Sequence, residues 1–253
     1  RMMAAGHPRL AFEFDTFTHL QPAHYGGARG AAGAEGLSDG ARNWAIGQAL
    51  MAQTLLELLV HPKRGRDGFF PELVLFDCHA CHHPMSKARN AGARLGVQPG
   101  AVRLNDANLL MVRHIARRVA PRDAAAISDA SKALHVAIAG GNDALVQASR
   151  LGKLIEGLTL KIEKHNFSAE DLRAILESLI DDGLAGEYSD YQGAEQAAMA
   201  LQAVADFMSR RGVASAAPLR PAMGRLMAAV KDDEAYRPEE FADALRSLKA
   251  LYQ

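Results

Sequence analysis

Apolar residues recur every three or four positions along most of the chain, and this spacing predicts α-helices. The first periodic segment begins at Ser38 and includes Trp44 and Leu55 among its apolar positions. Pro62 ends it near Val60, because proline removes a backbone donor and disfavours a helix before it. The sequence therefore predicts one long helix in the first quarter of the chain.

The same period returns after residue 103 and continues almost to the last residue. Ser168 precedes two acidic residues and predicts a capped helix start, and Ser189 predicts another. The "APLRP" stretch predicts a break, because it contains two prolines. Seven further helices are expected, over residues 104–120, 122–139, 142–164, 168–182, 189–211, 220–231 and 238–252.

The composition favours the same fold class. Hydrophobic residues make up 49% of the chain but aromatic residues only 6%, and alanine and leucine dominate. Alanine and leucine are good helix formers, whereas strands prefer β-branched and aromatic residues. The sequence predicts an all-α protein with little or no sheet. We expect two parts: a loop-rich region over residues 1–103, which includes the glycine-rich residues 26–36, and a helical bundle over residues 104–253.

Charge and motifs exclude several classes of function. The chain carries 29 basic and 29 acidic residues, so its formal net charge is zero and it lacks the basic excess of nucleic-acid-binding domains. No apolar run has the length of a membrane span. Hydrolase, zinc-protease and P-loop signatures are also missing from the sequence.

The sequence "FDCHACHHPM", residues 76–85, concentrates the candidate chemistry. Both cysteines of the chain, Cys78 and Cys81, lie here with three of its ten histidines. C-x-x-C-H is the attachment pattern of c-type haem, in which the thiols form thioethers and His82 ligates the iron. Thiolates and imidazoles also suit Zn²⁺, and a redox dithiol or two simply buried cysteines are further alternatives.

The stretch "MAAGHPRLAFEFDTFTHLQPAHY", followed downstream by "FDCHACHHPM", resembles the C-terminal part of multihaem c-type cytochromes. Relatives in that family include tetrahaem electron-transfer cytochromes linked to ammonia and hydroxylamine oxidation. The two stretches cover about a third of the chain. Such families carry further C-x-x-C-H motifs upstream, and we expect this chain to be a fragment or a descendant without them.

The resemblance implies roles for five residues. Cys78 and Cys81 would hold haem c, and His82 would be its proximal ligand. His7, in "GHPR", would be the distal ligand of that haem or of an adjacent one. His83 would ligate a neighbouring haem, as the histidine after the attachment motif does in some multihaem cytochromes.

Other side chains could also be the distal ligand, but a structural or surface role is the simpler interpretation of each. His19, His24, Met85 and His61 are expected to be surface or packing residues. His135, in "ALHVAIA", is expected to be a satisfied core histidine. The helix around His114 carries three arginines that could bind a haem propionate. A solvated basic face is the simpler interpretation of those arginines.

The leading hypothesis is electron transfer through a covalent c-type haem, with a redox protein or a neighbouring cytochrome as partner. Under this hypothesis the protein is an electron carrier and not primarily an enzyme. The alternatives are a haem enzyme acting on a small nitrogen or oxygen species and a zinc-stapled helical interaction module. Because c-type haem is attached outside the cytoplasm, we expect a periplasmic or extracytoplasmic location.

Overall fold

A computed structural model gives the fold of most of the chain. It describes residues 12–13, 16–17, 34–68, 70–77, 95–98, 101–213 and 215–252.

Eight α-helices account for most of the described residues, which confirms the predicted all-α class. The only sheet among them is a hairpin of two-residue strands, β1 (Arg66–Asp67) and β2 (Phe70–Pro71). A short 3-10 turn follows at Leu73–Leu75. The helices are α1 (Ala34–Val60), α2 (Ala107–Val119), α3 (Pro121–Gly140), α4 (Ala144–Lys164), α5 (Ala169–Leu184), α6 (Tyr191–Arg210), α7 (Ala216–Ala229) and α8 (Pro238–Tyr252).

Local sequence signals explain several helix boundaries. The Ser168 hydroxyl accepts a hydrogen bond from the Asp171 N–H at 3.1 Å, and the Asp171 carboxylate accepts one from the Ser168 N–H at 2.7 Å. This capping box satisfies free donors at the start of α5, as the sequence predicted. Pro121 occupies the first turn of α3, where a missing N–H costs nothing, and Gly141 ends that helix in the left-handed conformation.

Two predicted boundaries are wrong in detail. Asp190, and not Ser189, caps α6, because the Asp190 carboxylate accepts the Gly193 N–H at 2.8 Å. The "APLRP" stretch does not break the chain but lies inside α7. Pro218 falls in the first turn, where its missing donor has no helical partner, and Pro221 removes only one hydrogen bond further along.

All eight helices surround one hydrophobic core. Helix α1 packs most extensively against α4 and also contacts α2 and α6. Four fully buried alanines on one face of α1 allow this close approach, since small side chains let helix backbones come near: Ala41, Ala45, Ala49 and Ala52. A helix from the predicted N-terminal part therefore shares its core with the later bundle. The division at residues 103 and 104 stays a prediction.

No described helix combines the length and the apolar character needed to cross a bilayer.

Candidate functional site

The residues predicted to hold haem lie outside the described part of the chain. Cys78, Cys81, His82, His83 and His7 all belong to the undescribed ranges, as do His19, His24 and Met85. The structure does describe the residues on both sides of the Cys/His segment, which we define as residues 78–94. The contacts of these flanking residues define the described surroundings of the candidate site.

The chain enters the Cys/His segment from a short antiparallel pairing. Phe76 forms a β-bridge with Leu104, and the Asp77 N–H donates to the Arg103 carbonyl at 2.9 Å. On the other side of the bridge, the Asn105 N–H donates to the Leu75 carbonyl at 2.9 Å. The backbone next to Cys78 is thus bound to the strand-like residues that lead into α2.

A buried ion pair reinforces this entry. The Arg103 guanidinium donates to the Asp77 carboxylate, and the two side chains are only 7% and 4% exposed. Losing one partner of such a pair leaves an uncompensated buried charge, which typically costs about 3–5 kcal/mol. Arg103 and Asp77 therefore hold the residue before Cys78 in one position.

The chain leaves the Cys/His segment against α3. Leu95 and Val97 are buried, and Gly96 between them has φ +71°, a conformation that favours glycine. A side chain at Gly96 would touch Val136 of α3 at 4.0 Å. The residues that flank the segment thus lie against two parts of the bundle, the chain that leads into α2 and the C-terminal part of α3.

A buried histidine and a buried aspartate are close in sequence to the residues that contact these flanks. Asp106 precedes α2 by one residue, three residues after Arg103, and His135 precedes Val136 on α3. The His135 Nε2 lies 3.3 Å from the Asp106 Oδ2, and the two side chains are 0% and 6% exposed. Despite this short distance, neither ring nitrogen of His135 forms a properly aligned hydrogen bond within the described structure.

His135 therefore differs from its expected role. It is a core histidine, as predicted, but its ring nitrogens are not satisfied by hydrogen bonds among the described residues. A small cavity of about 20 Å³ lies beside Asp106, enough for about one water molecule. Its lining includes Leu95, Ile127, Ser128, Ser131 and Lys132.

The arginines around His114 bind carboxylates of the bundle and do not form a solvated basic face. Arg113 and Arg117 both reach Asp182 on α5, at 2.7 and 3.2 Å. Arg118 binds Asp171 at 2.5 Å. These ion pairs join α2 to α5, so the described contacts give the arginines a structural role.

His114 itself is bonded at both ring nitrogens. Its Nδ1 lies 2.7 Å from the Ser178 hydroxyl, and its Nε2 lies 3.0 Å from the Tyr188 hydroxyl. Burial, followed by the charges of Arg113 and Arg117, lowers the pKa of His114 well below its usual 6.5. His114 is consequently neutral at pH 7 and acts as a hydrogen-bonding bridge in the core.

The remaining described histidines also have partners. The His61 Nδ1 accepts the Lys63 and Arg64 N–H groups at 3.1 and 2.8 Å, which closes the turn after α1. The His165 Nε2 lies 3.2 Å from Asp171. His135 is thus the one histidine within the described ranges whose ring makes no hydrogen bond.

Within the described ranges, no group of three or more histidine, cysteine or acidic side chains is arranged to hold a metal ion. A groove of about 320 Å³ runs between α1 and α4, and its lining includes Gln53, Glu57, Lys153 and Glu156.

Sequence reasoning did not find the Asp77–Arg103 and Asp106–His135 pairs. Both pairs join residues far apart in sequence, 26 positions in the first case, and no local pattern marks them. The only signal in the sequence was the position of the two aspartates. Asp77 directly precedes the Cys/His segment, and Asp106 directly precedes α2.

Comparison of the chain with protein-family models, with curated proteins and with solved structures gave no match.

Proposed function

We propose that this protein transfers electrons through a c-type haem attached covalently to Cys78 and Cys81, with His82 as an axial ligand. The observation that carries the proposal is the sequence C-x-x-C-H at residues 78–82, which uses both cysteines of the chain. Bound haem would supply one-electron chemistry, and the chain would set its potential through axial ligands and burial.

The described surroundings are compatible with a cofactor carried by the Cys/His segment. Asp77 and Leu95, at its two ends, are buried and fixed to the bundle. The Phe76–Leu104 bridge and the Asp77–Arg103 ion pair hold the residue before Cys78 against the chain that leads into α2.

The further parts of the proposal rest on the sequence. His7 is a distal ligand of this haem or of an adjacent one, and His83 is a ligand of a neighbouring haem. The partner is a redox protein or a cytochrome chain that can itself carry haem. Attachment of haem c places the protein in the periplasm or another extracytoplasmic compartment.

The test is expression in a host that attaches c-type haem, followed by mass spectrometry and a denaturing gel stained for haem. We expect one haem per chain that survives denaturation. The variants C78S and C81S should each retain at most one thioether, and the double variant should lose the covalent haem. A colourless protein would contradict the proposal.

The same preparation separates the two alternatives. A haem enzyme requires an open iron position, so its oxidised iron would be high-spin and would bind cyanide at once. A zinc-stapled interaction module would contain one zinc per chain and no visible absorption, and C78S would release the metal. Either result would replace electron transfer as the assigned function.

A further inference from the structure

We propose that the groove between α1 and α4 binds a second copy of this chain, with the α4 helices of the two copies packed antiparallel about a two-fold axis. The axis passes between Gly152 and Lys153 of each copy. This surface contains no residue of the Cys/His segment. The inference therefore does not depend on the proposed function, and either one can fail without the other.

The groove has room for another helix. It measures about 320 Å³ and is open among the described residues. Its lining from α4 includes Ser149, Gly152 and Glu156, whose spacing of three and four residues places them in one stripe along the helix. A Cβ atom at Gly152 would meet no other atom within 4 Å. Because the distance between packed helices depends on the side chains at their contact, these small residues allow a close approach.

Helices α1 and α4 run antiparallel on the two sides of the groove. The Gln53 Nε2 of α1 donates to the Thr159 Oγ1 of α4 at 3.4 Å. Seven residues later in α1, Val60 lines the groove together with Ala148, which lies eleven residues earlier in α4. A two-fold axis through the middle of α4 therefore crosses α1 near Glu57.

The exposed leucines of α4 are placed symmetrically about this axis. Leu145 lies seven residues before Gly152, and Leu160 lies seven residues after Lys153. When two α4 helices pack antiparallel about the axis, Leu145 of each copy reaches the level of Leu160 of the other copy. The two side chains are 47% and 55% exposed in the single chain, so this contact removes apolar surface from water.

Leu50 of α1 adds to both leucine contacts. It lies two helical turns before Glu57 in the same stripe of α1, and its side chain is 48% exposed. Because α1 is antiparallel to α4, Leu50 lies at the end of the groove that holds Leu160. Leu145 of the second copy arrives at this same end. Each end of the interface thus brings together three leucines that the described part of one chain leaves half exposed.

The charges at the middle of the surface are complementary to their own symmetry copies. Glu57 and Lys153 both line the groove and are exposed, and neither forms an ion pair with a described residue. Because the axis passes at their level, Glu57 of each copy faces Lys153 of the other, which gives two ion pairs. A two-fold interface uses the same patch on both partners, so it must carry both signs of charge in this way.

The size of the surface sets the expected strength of association. From Leu145 to Leu160, α4 extends about 22 Å, and two neighbouring helices about 10 Å wide present a face of roughly 440 Å² in projection over that length. Specific, stable interfaces bury about 800 Å² per partner. We therefore expect a weak and reversible dimer, with a dissociation constant in the micromolar range.

The first test is sedimentation of the full chain over about 1–500 µM, the range that suits an interface of this size. The unaltered protein should change from monomer to dimer as its concentration rises. G152Q should weaken the dimer at least tenfold, because the added side chain fills the middle of the groove. G157Q is the matched control, since Gly157 lies on the same helix, also in open space, but does not line the groove. Circular dichroism checks that both variants are folded.

The second test exchanges the charges across the axis. K153E alone places Glu57 of each copy opposite a glutamate, and E57K alone places Lys153 of each copy opposite a lysine. Each variant by itself should therefore dimerise at least tenfold more weakly than the unaltered protein. An equimolar mixture of K153E and E57K should dimerise again, because every pair across the axis then joins opposite charges.

The outcomes decide the proposal directly. A chain that stays monomeric at the highest concentration overturns it, and the groove is then left to another protein or to a segment outside the described residues. A dimer that G152Q does not weaken uses a different face, which also overturns it. A mixture of K153E and E57K that associates no better than either variant alone refutes the two-fold arrangement.

Discussion

At the scale of single residues, two buried histidines differ in what surrounds them. His114 has a hydroxyl group at each ring nitrogen, from Ser178 and Tyr188, whereas the ring of His135 makes no hydrogen bond within the described structure. The sequence does not indicate this difference, because both residues lie on predicted helices and neither local pattern shows what packs against the ring. The apolar helix around His135 predicted the burial of that ring, but the partner of each ring depends on which helix packs against it.

The first prediction concerns the pH dependence of stability through His114. Burial and the charges of Arg113 and Arg117 lower its folded-state pKa, while its unfolded-state pKa is about 6.5. The unfolded chain therefore binds a proton that the folded chain excludes, so this contribution to stability is complete above pH 6.5 and is lost as the pH falls below it. H114Q should reduce the slope of unfolding free energy against pH, between pH 6 and 5, by up to about 1.4 kcal/mol per pH unit.

Denaturant titrations at pH 7, 6 and 5 measure that slope, with H61A as the control because His61 is not buried. An identical pH dependence in H114Q and the unaltered protein would show that His114 takes up its proton in the folded state.

At the scale of elements, the helices differ in whether the side chain of the residue just before the helix forms a capping hydrogen bond. Ser168 of α5 accepts the Asp171 N–H, whereas Ser215, at the start of α7, makes no side-chain capping bond. Both serines satisfy the same sequence preference. The acidic residue three positions after Ser168 completes the capping box, and the corresponding position in α7 is Pro218, which has no N–H to donate.

The second prediction follows from that contrast. S168A should lower the unfolding free energy by about 1 kcal/mol, because it leaves a helix-terminal N–H without its acceptor. S215A should change it by less than about 0.5 kcal/mol, as expected for a surface substitution that removes no bond. Urea unfolding of both variants at pH 7 provides the comparison, and equal losses would contradict the capping assignment.

The same capping box gives α5 its acid sensitivity. Burial raises the pKa of Asp171, but hydrogen bonds from the Ser168 N–H and Arg118 more than compensate and lower it to about 2. Since this folded-state pKa lies below the unfolded value of about 3.9, the stabilisation is complete above pH 4 and disappears as the pH falls towards 2.

At the scale of the whole molecule, the helices fit together through a few positions that admit no extra atom. A methyl group at Gly183, near the end of α5, would lie 2.3 Å from the Leu245 side chain of α8 and 2.9 Å from the Tyr188 ring. Gly157, inside α4, has open space around it. The two glycines are indistinguishable in sequence, since each interrupts an otherwise good helix.

The third prediction uses this pair. G183A should destabilise the protein by about 1–3 kcal/mol through overpacking between α5 and α8. G157A should stabilise it by about 0.5–1 kcal/mol, because alanine is the better helix former and meets no neighbour. Thermal unfolding of the two variants measures both changes in stability. A stabilised G183A would show that the α5–α8 contact is looser than the structure indicates.

The positions of the helices along the chain were predictable from the sequence. The residues that contact one another between distant parts of the chain were not. Helices α2 to α6 begin and end within about three residues of their predicted bounds, because periodicity and capping are local properties. The start of α7 was predicted wrongly, because the prolines were expected to end the helix. The first proline lies in the first turn of α7, where a backbone N–H has no helical partner. The C-x-x-C-H motif indicated haem from five adjacent residues, whereas Asp106 and His135 meet only because α2 and α3 pack together.

The Asp77–Arg103 pair and the Phe76–Leu104 bridge close the chain into a loop between α1 and α2. The entropic cost of closing a loop between two fixed points rises only slowly with the number of residues in it. The Cys/His segment can therefore vary in length at a small cost in loop-closure entropy. Replacing it with a glycine-serine linker should leave a folded, cofactor-free scaffold, and other attachment sequences can be grafted between the same two fixed ends.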